Sequence, residues 1–189
     1  MARSVGVDRA KVIAAAAELA DTHGLDQLTL AQVAAQVGIR LPSLYNHVDG
    51  LAGLRRELAL LGVRELGESM AQAAIGKAGD EAVHALAQAY RAYVTTHPGR
   101  YAAGIRAAPA DDAELAALGA RVVAIVVAVL HPYGLHNDDA IHAVRGLRSI
   151  VHGFATLESA GGFGIPLDVD ESFRRLVAAY IVGLRADRA

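Results

Sequence analysis

The sequence contains no cysteine and no tryptophan, and aromatic residues make up only 5% of it. The absence of cysteine excludes disulfides, thiolate metal sites and a cysteine nucleophile. The most apolar run, residues 122–130, is nine residues long, and a helix needs roughly 20 apolar residues to cross a bilayer. The first residues carry Arg3 but no apolar segment typical of a secretion signal. We therefore expect a cytoplasmic protein without a membrane partner.

The sequence also has no excess of positive charge. The 18 Lys/Arg and 20 Asp/Glu residues give a net charge of −2, which argues against strong non-specific attraction to nucleic acid. The charge is unevenly distributed, since residues 1–64 hold seven Lys/Arg against six Asp/Glu, and residues 65–189 hold eleven against fourteen. The electrostatic argument against nucleic-acid binding is therefore weakest for the N-terminal third of the chain.

The sequence is rich in apolar residues suited to closely packed helices. They make up 53% of the chain, many of them alanine and leucine, which favours helices over strands. Asp8 can cap a first helix that Gly24 ends, and Thr29 and Gln32 have the spacing of a capping box at the start of a second helix. We predict an all-α fold. Periodicity and helix-ending residues predict further helices over residues 82–97, 114–130 and 139–159, and a last helix from residue 168 onward, where Asp168 begins a variant of the capping box.

Residues 29–48 have the pattern of a helix-turn-helix unit. Gly38 can end the second helix in the left-handed conformation that glycine adopts at low cost. Pro42 is preset for a first helical turn, so a helix of barely two turns is expected from there to His47. Two short helices joined by a glycine-containing turn are typical of this unit, whose second helix enters the major groove. Leu44 and Val48 anchor the inner side of that helix. The residues left to point outward or along the backbone are Arg40, Ser43, Tyr45, Asn46 and His47.

The segment AAAELADTHGLDQLTLAQVAAQVGIRLPSLYNHV resembles the DNA-binding region of the TetR family of bacterial transcriptional regulators. The shared features are the first helix and its glycine, the Thr-capped second helix, the Gly-Ile turn, and the Leu-Tyr-x-His that closes the recognition helix. The resemblance implies that Tyr45 and His47 contact the DNA backbone and that Thr29, with its helix start, meets a phosphate. It also implies that the groove-facing start of the recognition helix is formed by Arg40, Pro42 and Ser43.

The sequence departs from the family at one position. Many members have a lysine shortly after the Leu-Tyr-x-His that binds phosphate, and here that position is Leu51. One expected phosphate contact is therefore missing. The sequence leaves open whether Arg55 or Arg56 replaces it or whether Arg3 in the N-terminal arm supplies the charge.

The resemblance implies a helix-turn-helix DNA-binding domain in residues 1–49 and a helical ligand-binding and dimerisation domain in residues 50–189. In the second domain, the helix over residues 139–159 has two apolar faces, and each needs a partner. Packing within the chain and association with a second copy both explain this pattern. The resemblance favours a homodimer, because TetR-type proteins pair their last two helices into a four-helix bundle. The residues predicted to form the dimer interface are Ala143, Gly146, Ile150, Gly153, Leu157, Phe173, Leu176 and Tyr180.

Aromatic and basic residues on the later helices are candidates for a small-molecule pocket with apolar walls. Aromatics at helical spacing are also typical of an ordinary core, so both interpretations stay open. The residues predicted to line the pocket are Tyr90, Tyr93, Tyr101, Arg106, Val126, Leu130, Arg148 and His152.

Other kinds of site are not indicated by the sequence. The eight histidines form no His-Glu-x-x-His motif, so we expect no metal. The loop over residues 159–168 is rich in glycine but lacks the lysine and preceding strand of a phosphate-binding loop. No Ser-His-Asp set or carboxylate pair can be assembled, so we expect no catalytic residues and no cofactor.

These observations favour a repressor that binds a palindromic operator as a homodimer and is released by a small-molecule effector. An activator would use the same parts, and the sequence does not separate the two. The alternative is a helical small-molecule-binding protein or enzyme without DNA binding.

Overall fold

The structure, a computed structural model, describes residues 7–186 of the chain. In that range it contains nine α-helices and no strand, which confirms the predicted all-α fold. The helices are α1 (Arg9–His23), α2 (Leu30–Val37), α3 (Leu41–Leu44), α4 (Gly50–Ala74), α5 (Gly79–Thr96), α6 (Pro98–Gly104), α7 (Ala113–Leu130), α8 (Asn137–Ser159) and α9 (Val169–Ala186). Arg3, a candidate for DNA contact, lies outside the described residues.

The helices divide into two packing units. In the described range, the first comprises residues 7–63 with His97–Leu115, and the second comprises residues 64–96 with 116–186. The boundary predicted between residues 49 and 50 does not coincide with this division, because the first half of α4 belongs to the unit of α1, α2 and α3, and α6 packs against α1. The assignment of DNA binding and ligand binding to residues 1–49 and 50–189 stays a prediction about function.

The helix ends in the first unit form as their sequences predict. The Asp8 side chain accepts from the Lys11 backbone N–H at 2.8 Å, and α1 ends at Gly24. Thr29 and Gln32 form a capping box at the start of α2, and Gly38 ends that helix in the left-handed region at φ +73°. These caps satisfy backbone groups that a short helix otherwise exposes. The turn that leads into α3 is thereby fixed.

The predicted recognition helix is shorter than expected. Helical hydrogen bonding covers only Leu41–Leu44, and the chain from Tyr45 to His47 continues as turns. The predicted helix of barely two turns, ending at His47, is therefore wrong in its length. The Val48 N–H still donates to the Leu44 carbonyl at 3.2 Å, but the Asn46 N–H donates to the Ser43 carbonyl at 3.3 Å. The His47 N–H likewise donates to the Leu44 carbonyl at 2.9 Å, which is the three-residue pattern of a helix that is ending.

The second unit is built on α5, α8 and α9, which pack against one another. The apolar face of α8 that includes Leu147 and Val151 is buried, and so is the face of α9 that includes Val177 and Ile181. The Asp168 side chain accepts from the backbone N–H groups of Asp170 and Glu171 at 2.9 and 3.2 Å, which confirms the predicted cap of α9. This unit carries the residues predicted for the dimer interface and most of those predicted for the ligand pocket.

The apolar stretch at α7 is longer than the nine residues that the sequence analysis considered. In the described range, α7 with the turn that follows it, Ala113–Tyr133, is the one helix long and apolar enough to cross a membrane by length and composition alone. The nine-residue run over 122–130 understated this length, because the residues before it are mostly alanine, leucine and glycine and Arg121 is the only Lys/Arg in the helix. Helices of soluble proteins also meet this criterion.

Candidate nucleic-acid interface

The recognition segment, residues 40–47, rests on the core of the first unit through its inner side. Leu44 and Val48 are buried together with Val12, Leu54 and Leu58. Because these anchors take up the inner face, the remaining side chains are left at the surface. The residues exposed there are Arg40, Leu41, Pro42, Ser43, Tyr45 and Asn46, and His47 is half-buried. Of the two large hydrophobic side chains exposed in the segment, Tyr45 is the more open, with 56% of its surface exposed against 39% for Leu41.

Thr29 is exposed at the start of α2, but its hydroxyl is occupied within the chain. The Thr29 Oγ1 donates to Gln32 Oε1 at 2.8 Å and accepts from the Gln32 N–H at 3.3 Å. Its backbone N–H donates to the same Gln32 oxygen at 2.8 Å. A phosphate at this point would therefore meet the first N–H groups of α2, which have no partner inside the helix.

The arginines beside the recognition segment are engaged inside the first unit. Arg56 Nε donates to Asp112 Oδ2 at 2.6 Å, and Arg56 Nη2 donates to Asp112 Oδ1 at 2.8 Å and to Glu114 Oε2 at 3.0 Å. These hydrogen bonds, that to Asp112 above all, raise the pKa of Arg56, and they lower the pKa of Asp112. Arg55 Nη2 donates to the Leu25 carbonyl at 3.3 Å. Neither arginine is placed as a substitute for the phosphate-binding lysine that Leu51 replaces.

Arg40 therefore dominates the charge of the recognition segment. It is the only Lys/Arg between residues 29 and 50, and Asp49 is the only Asp/Glu. Toward the N-terminus the next Lys/Arg residues are Lys11 and Arg9, and Arg9 pairs with Glu57 at 2.7 Å. Within residues 29–50 the one Lys/Arg and the one Asp/Glu balance, so this segment carries little net charge.

The residues predicted for a ligand pocket do not all fall in one unit. Those buried in the second unit are Tyr90, Tyr93, Val126 and Leu130. In the same unit Arg148 is exposed and His152 is half-buried. Tyr101, which is buried, and Arg106, which is exposed, belong to the first unit. The Tyr93 hydroxyl donates to Glu65 at 3.0 Å, so its polar end already has a partner.

The residues predicted for the dimer interface range from buried to open. Phe173 is 0% exposed and is therefore a core residue of the chain. The Tyr180 hydroxyl donates to the Ala143 carbonyl at 2.6 Å, and burial raises the Tyr180 pKa to about 12. Leu157 is 53% exposed. The residues between these extremes, all half-buried, are Gly146, Ile150, Gly153 and Leu176.

The sequence analysis did not identify two exposed apolar residues, one in the recognition segment and one on α9. Leu41, 39% exposed, is three residues before Leu44, so helical spacing places it on the inner face. It lies open because α3 begins at Leu41 and no preceding turn covers it. Val182, 63% exposed, lies with Ala179 and Gly183 on a second apolar face of α9. Their three- and four-residue spacing was the available signal.

No group of three or more His, Asp or Glu side chains arranged to hold a metal ion occurs among residues 7–186.

Comparison with known proteins identifies the family. Residues 83–180 match the family described as "Tetracyclin repressor-like, C-terminal domain". YobS, an uncharacterized HTH-type transcriptional regulator of Bacillus subtilis, is 34% identical over 97% of this chain and 96% of its own. Rv0681, an uncharacterized HTH-type transcriptional regulator of Mycobacterium tuberculosis, is 36% identical over 97% of this chain and 84% of its own.

The fold also matches a solved structure. A TetR variant from Acinetobacter baumannii AYE, in complex with minocycline, superposes with a TM-score of 0.74 at 21% identity, over 97% of this chain and 99% of that chain. The fold thus extends through both packing units. Together with the two relatives, which match over nearly the full length, these similarities show that the chain belongs to the TetR family of transcriptional regulators, which bind DNA and are not enzymes.

Proposed function

We propose that the chain is a cytoplasmic repressor that binds a palindromic operator as a homodimer and is released by a small-molecule effector. The observation that carries the proposal is the recognition segment, where two buried anchors, Leu44 and Val48, leave the intervening polar side chains at the surface. In the proposed complex, Tyr45 and His47 contact the DNA backbone, and Arg40, Ser43 and Asn46 approach base edges. Pro42 lies at the groove-facing start of the segment, and Thr29 marks the helix start that meets a phosphate.

A dimer through α8 and α9 is supported by apolar surface that the chain itself leaves uncovered. Leu157 on α8 and Val182 on α9 are both more than half exposed, and a second copy would remove this surface from water. Gly153 has no atom within 4 Å of where a Cβ would lie, so another chain can approach the α8 backbone there. We leave Phe173 out of the proposed interface because the chain already buries it.

An effector site is proposed among the helices of the second unit. The buried aromatic and aliphatic side chains of Tyr90, Val126 and Leu130 supply apolar surface there, and His152 supplies a polar group. The Acinetobacter baumannii relative in its minocycline complex supports a small organic molecule as the class of effector. An effector can release the operator only by binding more tightly to a shape that does not fit DNA, so operator DNA must weaken effector binding by the same factor.

Substitutions in the recognition segment test the proposal. Tyr45→Ala or His47→Ala is expected to weaken binding to every duplex alike, by up to roughly tenfold, because a phosphate contact carries no sequence information. Arg40→Ala is expected to relax sequence preference, because an arginine paired to a base contributes about 1–3 kcal/mol of discrimination. Fluorescence anisotropy with duplexes from DNA flanking the gene, against scrambled duplexes, measures both effects. Gln72→Ala, an exposed change on α4, is the control. Normal binding by all three variants would disprove the assignment.

A further inference from the structure

The recognition segment has an exposed leucine where base edges are contacted. Leu41 is the first residue of α3 and is 39% exposed, although Leu44 one turn later is fully buried. The first residues of a recognition helix contact base edges in the major groove. The Leu41 side chain therefore belongs to the part of the interface that reads sequence.

Packing in the core does not account for Leu41. The two preceding apolar residues, Val37 and Ile39, are partly buried against the core of the first unit, and Leu44 and Val48 lie within it. Leu41 instead leaves more than a third of its surface in water. Burial of that apolar area when DNA binds is favourable.

The side chains around Leu41 offer few hydrogen bonds to bases. Arg40 is the only Lys/Arg between residues 29 and 50, and the exposed neighbours with polar groups are Ser43, Tyr45 and Asn46, of which Tyr45 is assigned to the DNA backbone in the proposed complex. Pro42 is exposed and, like Leu41, has a side chain without donor or acceptor. At least part of the base surface facing this segment must therefore be matched by apolar contact.

We propose that Leu41 selects a thymine in each operator half-site by packing against its 5-methyl group. That methyl is the apolar group that base edges present in the major groove. If another base stood at this position, leucine would remove water from its donors and acceptors without offering a hydrogen bond in return. That desolvation costs free energy. The inference rests on the proposed function, because it names the base that the DNA-binding segment reads.

The test uses the full-length chain and duplexes that the wild-type protein enriches from a random-sequence library. In the enriched duplex, each thymidine is replaced in turn by deoxyuridine, which removes only the 5-methyl group. We expect one thymine per half-site at which this change weakens binding about fourfold, and about 15-fold when both half-sites are changed, as for the loss of one buried methyl in each. Fluorescence anisotropy gives the dissociation constants.

Variants of the protein assign the contact. In Leu41→Ala, the thymidine and deoxyuridine duplexes should bind equally, because no side chain remains to pack on the methyl. Ile75→Ala, which truncates an apolar residue 66% exposed just after α4, should keep the full penalty. So should Pro42→Ala. Circular dichroism confirms that each variant is folded.

The outcomes separate this inference from the proposed function. If no sequence is enriched, the proposed function fails and this inference fails with it. If a sequence is enriched but no deoxyuridine weakens binding, or if Leu41→Ala keeps the full penalty, the leucine contact is disproved while operator binding stands. A penalty that disappears only in Pro42→Ala assigns the methyl contact to Pro42 and also overturns the proposal.

Discussion

Arg91 on α5 is a cation with several partners inside the second unit. Its Nε donates to Glu158 at 2.7 Å and its Nη1 donates to Asp170 at 2.7 Å, so it joins α5 to the end of α8 and the start of α9. The guanidinium carbon also lies 5.3 and 4.9 Å from the ring centroids of Phe154 and Phe173. Hydrogen bonding to Glu158 in particular raises the Arg91 pKa, so the side chain stays charged over the working pH range.

Removal of this arginine should destabilise the protein. Arg91→Met is expected to lower the free energy of unfolding by roughly 2–3 kcal/mol, because Glu158 and the facing aromatic rings lose a buried charged partner. Urea unfolding followed by circular dichroism, at one fixed protein concentration, measures the change. Arg174→Ala, which removes an exposed i,i+3 pair with Glu171, should change the free energy of unfolding little, because water and salt screen such a pair. Equal losses in the two variants would show that the Arg91 cluster adds nothing beyond a surface pair.

Helix α6 approaches the backbone of α1 closely at Gly99. A Cβ on Gly99 would lie 2.2 Å from the carbonyl carbon and oxygen of Ala20 on α1. The Asp21 carboxylate accepts from the Arg100 backbone N–H at 2.9 Å and pairs with Arg100 Nε at 2.9 Å. Within the first unit, α6 is therefore held against the helix that supports the recognition segment.

Two glycine substitutions test the importance of this contact. Gly99→Ala is expected to destabilise the protein by several kcal/mol or to prevent folding, because backbone atoms cannot yield to the new methyl group. Gly119→Ala, inside α7 where the new Cβ meets nothing within 4 Å, should stabilise by up to about 1 kcal/mol through helix propensity. Thermal unfolding of both variants is the measurement. If Gly99→Ala behaves like Gly119→Ala, the close packing of α6 on α1 is disproved.

Local features of the chain could be predicted from sequence because their causes are close together in it. The caps at Asp8, Thr29 and Asp168 depend on residues within three positions, and all three form as expected. Contacts between residues far apart in the sequence could not be predicted in this way. The pairing of Arg56 with Asp112 depends on a turn before α7 that no periodicity reveals, and it removes a cation that sequence alone left available for DNA.

The candidate interface was predictable in part for the same reason. The Leu-Tyr-x-His pattern identifies the recognition segment, and the spacing of Leu44 and Val48 gives its inner face. The exposure of Leu41 could not be predicted, because its three-residue spacing from Leu44 fits the same inner face. It is exposed because α3 begins at Leu41.

For the whole molecule, the proposed dimer makes a prediction about association. Val182→Glu is expected to shift the protein toward the monomer, because a carboxylate would be buried without a partner in the proposed interface. Sedimentation velocity over a range of concentrations measures the shift. Ile75→Glu changes a residue of similar exposure after α4 and should leave association unchanged. A Val182→Glu protein that sediments like the wild type would place the interface elsewhere.

Operator binding is the central claim, and salt dependence tests it most directly. The full-length chain is titrated into its enriched duplex and a scrambled duplex, with anisotropy recorded at about 50 and 200 mM salt. We predict two chains per duplex and selective binding that weakens at least about tenfold over this range, as expected if each protomer neutralises about one phosphate. Equal affinity for both duplexes, or affinity indifferent to salt, would contradict the account.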